Sequence, residues 1–133
     1  MGTDERIRDF LSEGPFAVVG ASRDRSKYGN KVLRCYAQHG LPVFAVNPRE
    51  EEIEGVPSFP NLRSLPEAAR GVSVITPPEV TAGVVEEAAE LGIGRLWLQP
   101  GAEGPGVLRR AEELGLSVIA GGPCVLVVLG YRE

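Results

Sequence analysis

Residues 16–22, Phe-Ala-Val-Val-Gly-Ala-Ser, limit the fold more than any other stretch of this chain. A short apolar run stops at Gly20, small residues follow, and a segment with helical periodicity begins beyond Tyr28-Gly29-Asn30. A buried strand, a tight glycine turn and a helix, in that order, open an α/β unit built on a parallel sheet. Gly20, Ala21 and Ser22 leave room for an anion to approach backbone N–H groups. The helix behind them offers unpaired N–H groups and the positive end of its dipole. Arg23, Arg25 and Lys27 make the intervening loop basic. The pattern points to a phosphate-bearing ligand.

The alternation continues along the chain. Apolar runs predict strands over 16–20, 42–46, 72–76, 96–99 and 116–120, and 3.6-residue periodicity predicts helices over 3–12, 30–39, 80–91 and 106–114. Thr3 or Asp4 is expected to cap the first helix, and Pro66 to open a further short helix over 65–69. Glycines 40, 92 and 115 close three of the helices. The expected architecture is a Rossmann-like, doubly wound α/β fold with a five-stranded parallel sheet, as a single domain over residues 1–133. The proline-rich segment before residue 65 carries Ile53, Val56 and Phe59, so it is expected to pack on the core rather than act as a linker. In such a sheet ligands sit at the carboxyl ends of the strands. There the sequence places Asn47-Pro48-Arg49, Thr76-Pro77-Pro78, Gln99-Pro100-Gly101 and Gly121 to Cys124.

Bulk properties narrow the function classes. A formal net charge of −4 does not suit a nucleic-acid footprint spread over the surface. No apolar run reaches membrane-spanning length, and Met1 to Glu13 is too charged for a secretory signal. Cys35 and Cys124 form no metal-type cluster, which favours a reduced, cytoplasmic protein. The sole histidine, His39, stands at a helix end, where a C-terminal dipole partner is expected rather than a base. No nucleophile–base pair or catalytically spaced carboxylate pair is visible.

The ligand is narrowed by departures from the dinucleotide fingerprint Gly-x-Gly-x-x-Gly. Gly20 is followed by Ala21 and Ser22, with the next glycine at Gly29. The second strand ends in Asn47-Pro48-Arg49, without the carboxylate that would hold a ribose diol. An arginine there suits a ribose phosphate, either the 2′-phosphate of NADP or the 3′-phosphate of coenzyme A.

The stretches Val18-Val19-Gly20-Ala21-Ser22, Val46-Asn47-Pro48, Thr76-Pro77-Pro78-Glu79, Trp97-Leu98-Gln99-Pro100-Gly101 and Pro123-Cys124 together resemble the small single-domain CoA-binding proteins. These are similar to the CoA-binding domain of the succinyl-CoA synthetase α subunit. The resemblance implies that Gly20, Ala21 and Ser22 face the CoA diphosphate, and that Asn47, Pro48 and Arg49 lie near the adenosine and its 3′-phosphate. It puts Thr76, Pro77 and Pro78 against the nucleotide or the pantetheine arm. Arg25, Lys27, Tyr28, Gly29, Gln99 and Gly101 complete the candidate set for coenzyme A or an acyl-CoA. The synthetase's phosphohistidine belongs to a second domain that this sequence does not contain. Three readings stay open at this level. The chain is a CoA-binding module without chemistry of its own, an NADP-dependent oxidoreductase module, or a subunit whose protein partner supplies catalysis.

Overall fold

A computed structural model describes residues 2–132. Seven strands form one sheet in the order β3-β4-β2-β1-β5-β6-β7. They are β1 (Phe16–Val19), β2 (Val43–Val46), β3 (Glu52–Ile53), β4 (Val56–Phe59), β5 (Gly71–Val74), β6 (Arg95–Leu98) and β7 (Ser117–Ile119). All neighbours pair in parallel except β3, which runs antiparallel to β4. Without the two-residue β3, the order is that of a doubly wound nucleotide-binding sheet, with β4 as its third strand.

The expected five strands are therefore seven. The two unforeseen ones, β3 and β4, form a hairpin across Glu54-Gly55, both with positive φ (53° and 79°), as a two-residue hairpin turn requires. Pro57 within β4 and Pro60 just after it hide this strand from a propensity reading. The helix expected over 65–69 is absent. A single 3₁₀ turn at Leu62–Ser64 stands before it, and the Asn61 side chain accepts the Ser64 N–H at 3.0 Å. Leu65 is extended because it precedes Pro66.

Helices cover both faces. α1 (Thr3–Leu11), α2 (Tyr28–Gln38) and α5 (Val125–Leu129) pack on one side, α3 (Pro78–Glu90) and α4 (Pro105–Glu113) on the other. The cap expected of Thr3 or Asp4 is not made; Gly2 occupies the N-cap without a side-chain bond. β1 is buried on both faces, so its alternate residues feed separate cores. Ala17 and Val19 join Val72, Val85 and Leu98, whereas Phe16 and Val18 join Phe10, Leu33, Tyr36 and Trp97. Phe16 stacks between Phe10 and Tyr36 at centroid distances of 5.5 and 5.2 Å, and Trp97 meets the edge of that group. At the far edge, Arg6 donates to the carbonyl of Val118 in β7 at 3.1 Å. Among the described residues, no helix is long and apolar enough to cross a membrane.

Candidate functional site

β1 lies between β2 and β5, so the strand order reverses at its carboxyl end. Such a switch point splays the flanking connections and leaves a crevice. A cleft of about 460 Å³ opens there, lined by Gly20, Ala21 and Ser22 from the loop after β1 and by Lys27, Tyr28 and Gly29 from the start of α2. Asn47 closes it from the β2 side, and Ile75, Thr76 and Pro77 from the β5 side.

Two glycines make this loop possible. Gly20 has φ +97°, and a Cβ there would lie 3.2 Å from the Ile75 carbonyl carbon. Gly29 is the tighter case. A Cβ on it would run into the Gly20 carbonyl oxygen and stand 3.3 Å from the Ala21 Cα. The first turn of α2 thus rests directly on the loop backbone, as the close helix–strand packing glycine of a nucleotide-binding turn does.

Side chains then fix the loop from behind. Asn30 is fully buried and donates through Nδ2 to the Ser22 carbonyl (2.9 Å) and to Glu54 Oε2 (3.0 Å), while its Oδ1 accepts from Arg34 Nε (2.7 Å). Asn47 Nδ2 donates to the Ala21 carbonyl at 2.9 Å, and its Oδ1 accepts the Arg49 N–H at 2.8 Å. Ser22 Oγ accepts the Asp24 N–H, and Asp24 in turn accepts the Ser26 N–H and hydroxyl, which holds its carboxyl below the usual range. These bonds use carbonyls, side chains and the backbone N–H groups of Asp24, Ser26 and Arg49. Among the described residues, the backbone N–H groups of Ala21, Ser22, Tyr28 and Gly29 find no protein acceptor. Unpaired N–H groups at a loop and a helix start, beside Lys27, make a place for an anion.

The remaining sequence candidates fall into three positions. Arg25 does not line this cleft. It pairs with Glu54 at 3.2 Å and borders a separate hollow with Ser26, Lys31 and Arg34. Pro48 and Arg49 stand exposed just beyond Asn47, and the Arg49 guanidinium has no partner among the described residues. Pro78 opens α3 behind Pro77, and Gly101 is exposed with φ +99°. Gln99 lies under the surface, fully buried at the end of β6.

Gln99 belongs to a second cluster adjoining the first. Its Oε1 accepts from the Tyr28 hydroxyl at 3.2 Å and from the Val125 N–H at 3.1 Å, while its Nε2 has no partner among the described residues. The Tyr28 hydroxyl also contacts Cys124 Sγ. Burial, followed by the contact with Cys124, pushes the Tyr28 phenol well above its ordinary range, so it stays protonated. Trp97 Nε1 donates to the Pro123 carbonyl at 3.0 Å, which fixes the C-terminal turn against β6. Cys35 is buried beneath this turn, its thiol pushed up to about 11 by desolvation and by Cys124. His39 Nδ1 lies 2.8 Å from the Cys35 carbonyl, in the helix-end position expected of it.

Asn30, Glu54 and the second Tyr28 contact were beyond sequence reasoning. Asn30 left one readable trace, a polar residue on the buried stripe of α2 three positions before Leu33. A further concavity of about 480 Å³ lies around Asp9, Arg70 and Arg95. It sits at the amino ends of the strands, where Asp9 and Arg95 satisfy each other in a two-pronged pair at 2.8 and 3.2 Å.

Residues 15–130 match the profile of a CoA binding domain. The chain belongs to this CoA-binding domain family. Among curated proteins, it is similar to the ADP-forming acetate–CoA ligase I of Archaeoglobus fulgidus, 34% identical over 71 residues that cover 53% of this chain and 10% of the ligase. It is also similar to the α subunit of the ADP-forming acetate–CoA ligase II of Pyrococcus furiosus, 29% identical over 85 residues, covering 63% of this chain and 19% of that subunit. The CoA-binding domain therefore spans a small part of the curated relatives it matches. A solved structure of a conserved hypothetical protein from Pyrococcus furiosus superposes with a TM-score of 0.81 at 38% identity, covering 85% of this chain and 97% of that one.

Proposed function

We propose that this domain binds coenzyme A, or an acyl-CoA, in the cleft at the end of β1, and that it has no catalytic machinery of its own for acyl transfer there. One observation carries the reading. The cleft of a CoA-binding family member presents unpaired N–H groups of Ala21, Ser22, Tyr28 and Gly29 beside Lys27, a setting that complements a diphosphate. Gly20 and Gly29 keep that wall bare of side chains, so the ligand's phosphates can reach the backbone. Asn47 orients the loop and carries the chain to Arg49, whose free guanidinium stands ready for the 3′-phosphate at the rim. Thr76 and Pro77 form the opposite wall. The groups lining the cleft donate hydrogen bonds and shape the space. A protein partner would supply catalysis, as the membership of related domains in acetate–CoA ligases suggests.

Arg49 in place of a carboxylate after β2 also favours a second reading, in which the ligand is NADP. Isothermal titration with CoA, NADP and NAD separates the two. The expected result is micromolar-class binding of CoA and none of NAD. Binding of NADP or NAD without CoA would overturn the proposal.

A further inference from the structure

The Tyr28–Gln99–Cys124 cluster is more than a structural tie, and its three groups are unevenly satisfied. Gln99 Nε2 is a fully buried donor without an acceptor among the described residues, in a carboxamide whose Oε1 is held by Tyr28 and Val125. The Val125 N–H fixes which way the amide faces, because only the oxygen can accept from it. A buried unpaired amide donor costs free energy unless a partner arrives. The partner it calls for is an acceptor oxygen. Tyr28 carries the same cluster to the cleft wall, since its residue lines the cleft while its hydroxyl touches Cys124. Cys124 is partly exposed and is held in place by the Trp97–Pro123 and Gln99–Val125 bonds on either side of it.

We propose that Cys124 is a thiol–disulfide exchange site for a pantetheine-type disulfide, seated so that a pantetheine amide carbonyl accepts from Gln99 Nε2. The inference rests on CoA occupying the cleft. The Cys124 thiolate attacks one sulfur of a CoA disulfide, an S–S bond forms between Cys124 and one CoA, and the second CoA leaves as its thiolate. One disulfide is broken and one is made, so no outside oxidant is needed.

The hydrogen bonds accommodate the sulfur both before and after it loses its proton. Tyr28 has one O–H, with Gln99 Oε1 and Cys124 Sγ both in contact. In the thiol state Tyr28 donates to Gln99 while the S–H donates to Tyr28. In the thiolate state Tyr28 turns its proton to sulfur, and Gln99 Oε1 keeps the Val125 N–H. Neither state strands a buried acceptor. Cys35 is the neighbouring thiol that could resolve the adduct into an internal disulfide. Its burial keeps it protonated at neutral pH, so the mixed disulfide persists.

Intact-mass spectrometry of the protein incubated with CoA disulfide tests this. The expected product is one CoA adduct, removed by dithiothreitol, absent in Cys124→Ser and retained in Cys35→Ser. Its formation should exceed that with oxidised glutathione by about tenfold or more, because a bound ligand raises the local disulfide concentration. Tyr28→Phe removes the hydroxyl that meets the attacking sulfur and should slow exchange. Titration of the reduced wild-type protein with CoA, under dithiothreitol, is run in parallel. CoA binding without an adduct, or equal rates with CoA disulfide and oxidised glutathione, would overturn the exchange site and leave the CoA reading intact. Absence of both binding and adduct would overturn both.

Discussion

Replacing Gly29 by alanine adds one methyl group at the tightest point of the cleft. That methyl would meet the Gly20 carbonyl oxygen and lie 3.0 Å from the Gly20 carbonyl carbon. An ordinary C···O approach is about 3.3 Å or more, so the loop or the helix must move by something on the order of 1 Å. Both partners are backbone, and Asn30 and Asn47 anchor the loop from the other side. Overpacking of this kind costs about 1–3 kcal/mol. For a chain of this size each kcal/mol lowers the melting temperature by roughly 3–6 °C. The same displacement spoils at least one N–H contact to a charged phosphate, which is worth about 1.5–3 kcal/mol, or roughly tenfold to more than a hundredfold in affinity. Circular dichroism melts and isothermal titration with CoA read the two effects separately. Gly83→Ala is the control, because an added Cβ there meets nothing within 4 Å and Gly83 lies inside α3. That variant should gain about 0.5–1 kcal/mol of stability and bind normally. A Gly29→Ala protein with wild-type melting temperature and affinity would refute the packing argument. One that loses stability but keeps its affinity would remove the phosphates from this loop.

Other outcomes follow from the same geometry. Gly20→Val should abolish CoA binding in a folded protein, since a β-branched residue at φ +97° is strained and fills the space against Ile75; unchanged titration would refute it. Arg49→Ala should weaken CoA by about five- to a hundredfold and dephospho-CoA much less, an effect that shrinks with salt. Equal losses for both ligands would mean that another cation reads the 3′-phosphate. Glu54 is held below its usual 4.5, first by the Asn30 amide and then by Arg25 and Arg34. Its folded value lies below the unfolded one, so its stabilisation is full above pH 4.5 and is lost as pH falls through the folded value. The gap in melting temperature between wild type and Glu54→Gln should therefore close on acidification; a gap that stays constant with pH would contradict the tie.

The parallel core was legible because its strands are buried on both faces and therefore read as continuous apolar runs, as in Phe16–Val19 and residues 96–98. The Gly20 loop was legible for a similar reason, since only small residues permit it. The hairpin of β3 and β4 was not. Its pairing spans two residues on each strand, tolerates Pro57, and its turn residue Glu54 has its carboxylate tied to Asn30 and Arg25. Those are contacts between distant segments, and no local pattern records them. α5 was invisible as a helix because five apolar residues in a row carry no period. Gln99 was legible as a strand-end polar residue, but its unpaired nitrogen is a fact of three dimensions.

The two edges of the sheet bear on how this domain meets other proteins. At one side the outermost strand, β3, is only two residues long and ends in the Glu54-Gly55 turn. At the other, β7 spans three residues, and Arg6 already occupies the Val118 carbonyl. A strand from another chain would find almost no free ladder to extend at either side. Any contact with another domain or chain would then be made through helical faces and loops. The mouth of the cleft, at the carboxyl ends of the strands, stays free of strand-to-strand traffic and open to whatever a neighbouring domain presents.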